Sequence, residues 1–221
     1  MIPGEASPDR RAFILQNTRL QPPPHAPEIQ LHLATEVEPI WRETETALER
    51  TGLDPPFWAF AWAGGQALAR YLLDHPVEAA GKRVLDFATG SGLVAIAAMK
   101  AGAASALACD VDPFCEAAVA LNAQANGVEI AFTGQDLLLH DPPEVDAIYA
   151  GDICYEWPLA DRVRHWLHAA HRRGTRVLIG DPGRAYLPRE GLRLLTRYEI
   201  KTTRELEDRE IRSTGVFTFE D

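Results

Sequence analysis

From Gly81 onward, short apolar runs alternate with longer segments of helical period. Strands are predicted over residues 83–87, 105–110, 130–133, 145–150 and 176–180, with helices near 92–101, 113–126 and 159–172. Strand-helix alternation of this kind requires a mostly parallel sheet covered by helices on both faces. The C-terminal part breaks the rhythm, because residues 198–206 and 211–219 follow one another without a helix and suit an antiparallel pair. The fold class read from the pattern is α/β, a doubly wound, Rossmann-like sheet.

The first third has a different texture. Ser7 is placed to cap a helix running to about Asn17, and Pro22, Pro23 and Pro24 stop it. Ile29, Leu31 and Leu33 then alternate with polar residues as a half-buried strand does. A charged helix is predicted over 35–50, closed by Gly52, before the aromatic stretch 57–62 and another helix over 65–74. Residues 1–75 are accordingly read as an N-terminal extension packed on a catalytic domain at 76–221.

Composition narrows the partners. The 221 residues carry 32 acids against 22 Lys and Arg, a formal charge of -10, which disfavours attraction to a nucleic-acid backbone and suits a basic partner. Cys109, Cys115 and Cys154 form no CxxC pair, so buried thiols are expected rather than disulfides or a zinc site. His165, His168 and His171 share a helical face, but no acid or thiolate at matching spacing completes a metal set, and a solvated face is expected. The only apolar run near the start, 12–15, is too short for a signal core or a membrane span, so a cytoplasmic protein is expected. A monomer is the expected oligomeric state.

The strongest chemical signal is the run 84–92, a strand entering a Gly-rich turn that opens an alanine-rich helix. Thr89, Gly90, Ser91 and Gly92 form that turn, where glycine permits tight bending and close approach of a ligand. Asp110 ends the next strand, 18 residues after Gly92, where a carboxylate can accept both hydroxyls of an adenosine ribose. Asp86, at the end of the first strand, would repel phosphates arriving at the turn. A sulfonium ligand carrying an ammonium group and no phosphate avoids that conflict, which points to S-adenosylmethionine, with S-adenosylhomocysteine as product, over NAD. Gln135 and Asp136 follow the third strand, where an adenine amino group is expected. Asp112, just before Pro113, is better read as a helix N-cap.

In such a fold the acceptor meets the methyl group beyond the fourth strand, at 150–156, where Gly151, Asp152 and Tyr155 lie. The Asn/Asp-Pro-Pro-aromatic turn that holds planar amino groups is missing there, which disfavours a nucleobase acceptor. The letters do occur at 54–57, but behind a charged helix with no strand before them, so that segment is read as a rigid loop. Trp58 and Trp62 divide between core and the mouth of the site; we assign Trp58 to the acceptor wall and Trp62 to the cofactor.

Together these residues resemble the seven-strand protein-lysine methyltransferases, and specifically the electron transfer flavoprotein β-subunit lysine methyltransferases. The resemblance rests on the segments 56–62, 64–73, 86–92, 152–156 and 181–184, and extends from about Glu28 to the C-terminus. The family typically has Pro where this chain has Ala63. The resemblance implies a sheet ordered 3-2-1-4-5-7-6 with the last strand reversed, and a D-x-x-Y motif supplied by Asp152 and Tyr155. It also implies a protein substrate, the flavoprotein β subunit, whose dehydrogenase-recognition loop carries the lysines.

Methyl transfer needs a neutral amine, and a lysine of pKa ~10.4 costs on the order of 4 to 5 kcal/mol to deprotonate at neutral pH. Trp58 and Tyr155 are therefore expected as desolvating walls, with Asp152 capturing and aiming the incoming ammonium. Another protein acceptor such as a ribosomal protein, a small-molecule acceptor, and a catalytically silent cofactor-binding module remain as alternatives.

Overall fold

The computed structural model describes residues 9–35, 40, 55–202 and 211–220. The charged helix expected over 35–50 and the cap expected at Ser7 lie outside the described residues, except for Thr35 and Ile40. Helix α1 (Arg10–Asn17) starts at Asp9, whose carboxylate accepts the amide hydrogens of Arg11 and Ala12. It leads into a small antiparallel pair, β1 (Arg19–Gln21) with β2 (Leu31–Leu33). Helix α2 (Ala63–Asp74) follows a single 3-10 turn at Phe57–Ala59.

The seven-stranded sheet comprises β3 (Arg83–Phe87), β4 (Ser105–Cys109), β5 (Ala131–Thr133), β6 (Ala147–Gly151), β7 (Arg176–Asp181), β8 (Leu192–Lys201) and β9 (Ile211–Phe219). Its order is β5-β4-β3-β6-β7-β9-β8, and β9 runs antiparallel to both of its neighbours. That is the 3-2-1-4-5-7-6 arrangement with the last strand reversed. Helices α3 (Leu93–Lys100), α4 (Pro113–Asn126) and α5 (Leu159–Arg172) complete the β-α units.

Successive residues of the central strands serve opposite faces. Val84, Ala147, Tyr149 and Leu178 pack with α2 and α3, whereas Leu85, Ile148, Val177 and Ile179 pack with Val163, Trp166 and Leu167 of α5. Helix α2 is thus part of the layer covering the sheet, although it falls within the segment assigned to the extension. The rest of the extension shares apolar contacts with the catalytic unit, since Ile14, Ile40, Trp58 and Phe60 cluster with Phe114, Cys115 and Leu121.

Gly64 in α2 and Gly180 in β7 face one another so closely that a β-carbon on either would strike the other's carbonyl oxygen. A β-carbon on Gly151 would lie 2.9 Å from the Gly65 nitrogen. These glycines let the start of α2 settle against the carboxyl ends of β6 and β7.

At the opposite end of the sheet, Arg176 forms a two-pronged bond to Glu78, Nε to Oε2 and Nη2 to Oε1, each 2.9 Å. Tyr149 donates to the Glu78 carbonyl at 2.8 Å, which ties the 3-10 turn Pro76–Glu78 that follows α2 to β6 and β7. Burial pushes the Glu78 carboxyl up, but the Arg176 bonds and charge outweigh it and hold it below its usual value of 4.5. Glu78→Gln is expected to lower stability by about 2–3 kcal/mol at pH 7. Because the folded value is depressed, that stability is present above pH 4.5 and lost as pH falls through the folded value. Urea unfolding of both proteins at pH 7 and pH 3 checks this, with the gap closing at the lower pH.

Among the described residues no helix is long and apolar enough to cross a membrane. His168 and His171 rest on Phe219, with ring centroids 5.2 and 5.5 Å away, and His165 Nδ1 lies 2.8 Å from the Asp161 carbonyl oxygen. Cys109, Cys115 and Cys154 are buried, free thiols.

Candidate active site

Strand β3 is the point from which the chain turns outward in both directions, to β4 on one side and β6 on the other, and ligands bind beyond the carboxyl ends at such a point. The turn after β3 is left-handed at Ala88 (φ 55°), Gly90 (φ 51°) and Gly92 (φ 83°). Gly92 ends it as the N-cap of α3, and a β-carbon there would press to 3.2 Å from Val119. Ala88 adopts the same region with a side chain, a backbone cost the sequence does not reveal.

Asp86 is buried under this turn, where Oδ2 accepts the Thr89 hydroxyl (2.5 Å) and the Ala95 amide (3.0 Å). Among the described residues no donor reaches Oδ1. Burial pushes the Asp86 carboxyl up to about 7, opposed by these two donors and reinforced by the nearby Asp110 charge.

Asp110 stands just beyond β4 and links it to the turn, accepting the Gly90 amide at 2.9 Å and the Asp112 amide at 3.1 Å. Burial raises its carboxyl, and the amides oppose the rise. Asp112 caps α4 through the Phe114 amide at 2.8 Å, with Pro113 at the first helical position. Gln135 and Asp136 follow β5, and Asp136 caps the 3-10 turn Leu137–Leu139 through the Leu138 amide.

Beyond β6, Asp152 takes a left-handed backbone (φ 58°). Its Oδ2 accepts the Gly65 amide at 2.9 Å, from the first turn of α2, and its Oδ1 accepts Arg184 Nη2 at 2.7 Å and Nε at 3.3 Å. Burial pushes this carboxyl up, while Arg184 and the amides of Gly65 and Gly64 oppose it. The expected capture of the incoming ammonium by Asp152 therefore needs correction, because its carboxylate is already paired. Arg184 also lies over the Trp62 ring, 5.7 Å from its centroid.

These residues surround one cavity of about 740 Å³. Asp86, Thr89, Gly90, Ser91, Asp110, Gln135, Asp136, Gly151, Asp152, Tyr155 and Trp62 all line it, but Gly92 and Trp58 do not. Trp58 is only 2% exposed and stacks on Phe114, with centroids 5.5 Å apart and planes 5° from parallel. Its place as an acceptor wall is thus corrected to the core, because its ring is packed between Phe114 and Phe13. Phe57 stands in that wall instead, 6.0 Å from Tyr155 and 5.7 Å from Trp62. Trp58→Ala is expected to lower stability by about 3–5 kcal/mol and leave cofactor affinity within about threefold, measured by unfolding and calorimetry.

Arg184 is the site residue that reading by local pattern misses. The motif 181–184 contributes to the family resemblance, but nothing along the chain shows its guanidinium meeting a carboxylate 32 residues earlier.

The cavity fits a cationic ligand without phosphates. Arg162 and Arg184 are its only cations among the described lining residues, against Asp86, Asp110, Asp112, Asp136, Asp152 and Glu156. Arg184 is paired with Asp152, and Arg162 lies 3.9 Å from Asp136. Among the described residues no cation stands at the Gly-rich turn for a pyrophosphate, whereas an ammonium or sulfonium has carboxylates at two adjacent strand ends.

The fold and this site define a methyltransferase of the seven-strand class. The family described as Ribosomal protein L11 methyltransferase (PrmA) matches residues 66–153. The solved ribosomal protein L11 methylase of Lactobacillus delbrueckii subsp. bulgaricus shares the fold at a TM-score of 0.53 and 22% identity, over 77% of this chain and 83% of that one. Similarity in sequence is greater to the electron transfer flavoprotein beta subunit lysine methyltransferase of Xenopus laevis, 38% identical over 95% of this chain and 87% of that protein. The protein of that name from Homo sapiens is 41% identical over 80% of this chain and 68% of its own length. The chain belongs to the electron transfer flavoprotein β-subunit lysine methyltransferase family, and it is an enzyme.

Proposed function

We propose that this enzyme transfers methyl groups from S-adenosylmethionine to lysine side chains of the electron transfer flavoprotein β subunit. The observation that carries the reading is the acidic cavity at the carboxyl ends of β3, β4 and β6, opening through an aromatic mouth. Asp86 and Asp110 would hold the ammonium and ribose of the donor, with Gln135 and Asp136 toward its adenine and Trp62, Thr89, Ser91 and the backbone of Gly90 and Gly151 around it. When bound, that donor supplies an electrophilic methyl group.

The chain's own task is to admit a neutral amine and aim it. Phe57 and Tyr155 line the cavity, and a lysine lying between them would be covered by apolar surface, which disfavours its charged form. Tyr155 is 48% exposed, and beside the mouth Trp157 (57%) and Tyr186 (44%) form a further exposed pair with centroids 6.2 Å apart. An apolar rim of this kind suits a polypeptide acceptor better than a small polar metabolite. The reading takes the enzyme as a cytoplasmic monomer.

Mass spectrometry of the purified flavoprotein β subunit after incubation with enzyme and S-adenosylmethionine tests the proposal. Mass increments of one methyl group on lysine are expected; unmodified lysines throughout would sink it. The partial match to the ribosomal protein L11 methyltransferase family favours that protein as a second acceptor, and the same assay run on it separates the two.

A further inference from the structure

We propose that Arg184 is a positioning residue that cancels the charge of Asp152 beside the acceptor, so that the lysine bound in the site is held as the neutral amine. The inference rests on the lysine-methyltransferase reading above and deepens it.

The difficulty it resolves is electrostatic. An unpaired carboxylate at the end of β6 would attract an ammonium and hold its proton, raising the barrier to a step that needs the nitrogen lone pair. In the structure that carboxylate is not unpaired. Arg184 approaches Oδ1 with two nitrogens, at 2.7 and 3.3 Å, while the Gly65 amide occupies Oδ2 at 2.9 Å. The two side chains are only 18% and 12% exposed, so solvent screens them little from whatever lies in the cavity.

Arg184 is held there by design of its own loop. Asp181, fully buried at the end of β7, accepts the amides of Gly183 and Arg184 through Oδ1, each at 2.7 Å, and bends 181–184 back over the cavity. The guanidinium then rests over Trp62. Guanidinium keeps its proton across the whole range in which lysine titrates, so its charge opposes an ammonium at every working pH. The charged and titratable groups around Asp152 are Arg184, Asp181 and Cys154, and Tyr155, Arg162 and the acids Asp86, Asp110, Asp112, Asp136 and Glu156 line the same cavity. Arg184 is the cation in direct contact with Asp152. Within the bound complex the lysine gives its proton to water, and the lone pair this frees is what meets the methyl group.

The test compares the full-length enzyme with Arg184→Met, using the flavoprotein β subunit as substrate at saturation. Because kcat reports groups in the bound complex, its rise with pH follows the bound lysine. Arg184→Met is expected to move that rise up by about one pH unit or more, with kcat about tenfold lower at pH 7.5 and recovering by pH 10. Affinity for S-adenosylmethionine should stay within about threefold, which also reports that the variant is folded. A loss of kcat by the same factor at every pH, or no loss, overturns the inference.

A second measurement uses the unaltered enzyme. Carbon-13 NMR of an ε-labelled lysine in the substrate, bound beside S-adenosylhomocysteine, should titrate clearly below ~10.4. An unshifted or raised titration overturns the inference even if Arg184→Met does not fold. Failure of the wild-type enzyme to methylate the substrate at all would instead remove the functional reading beneath it.

Discussion

Asp86→Asn is expected to weaken S-adenosylmethionine binding by about 30- to 150-fold, the equivalent of about 2–3 kcal/mol for a hydrogen bond to a charged group. The substitution keeps the size of the side chain and an oxygen for the Ala95 amide, but removes the charge beneath the Gly-rich turn. Titration calorimetry measures the loss directly. A pH series sharpens it, because burial sets the Asp86 carboxyl at about 7 in the ligand-free protein. Binding of a cation requires the ionised form, so affinity should fall toward tenfold per unit as pH drops below about 7, and Asp86→Asn should lack that dependence. Stability of the ligand-free protein runs in the opposite sense. The carboxyl titrates near 3.8 when unfolded, so its folded value is raised, and the stability it contributes at low pH is lost as pH rises through about 7. Undiminished binding by Asp86→Asn would place the donor elsewhere.

Asp152→Ala is expected to reduce kcat by about 100-fold or more while changing donor affinity by less than about threefold. Its removal breaks the ion pair with Arg184 and releases the first turn of α2 from β6, and losing one member of a largely buried pair costs about 3–5 kcal/mol. Some of that loss will appear as a lower unfolding temperature, so kcat must be compared well below the transition. Single-turnover kinetics with bound donor separates the two effects. A transfer step as fast as in the wild type would show that Asp152 braces the fold and leaves the chemistry untouched.

The sheet was legible because its central strands are apolar on both faces and its helices are of ordinary length. Helices α4 and α5 coincide with the expected spans, and α3 differs by only a residue at each end. Strand β1 was not legible, since its three residues are exposed or half-buried and carry no apolar alternation. Strand β8 begins at Leu192, earlier than residue 198, because an edge strand with much of its surface exposed carries little pattern. The carboxylates at the ends of β3 and β4 could be read from spacing to a Gly-rich turn. The pairing of Asp152 with Arg184 could not, because it is made between two strand ends that only the folded sheet brings together. Trp58 shows the same limit in reverse: a tryptophan between Phe57 and Phe60 reads equally as wall or core, and the distinction depends on α1 and α4 closing over it.

The central claim is that the cavity beyond β3, β4 and β6 is where the methyl donor binds. A crystal structure of the chain grown with S-adenosylhomocysteine tests it most directly. The account predicts the nucleoside against Asp110 and the amino-acid end against Asp86. Density for the ligand at any other surface, with this cavity filled by protein side chains, would contradict it.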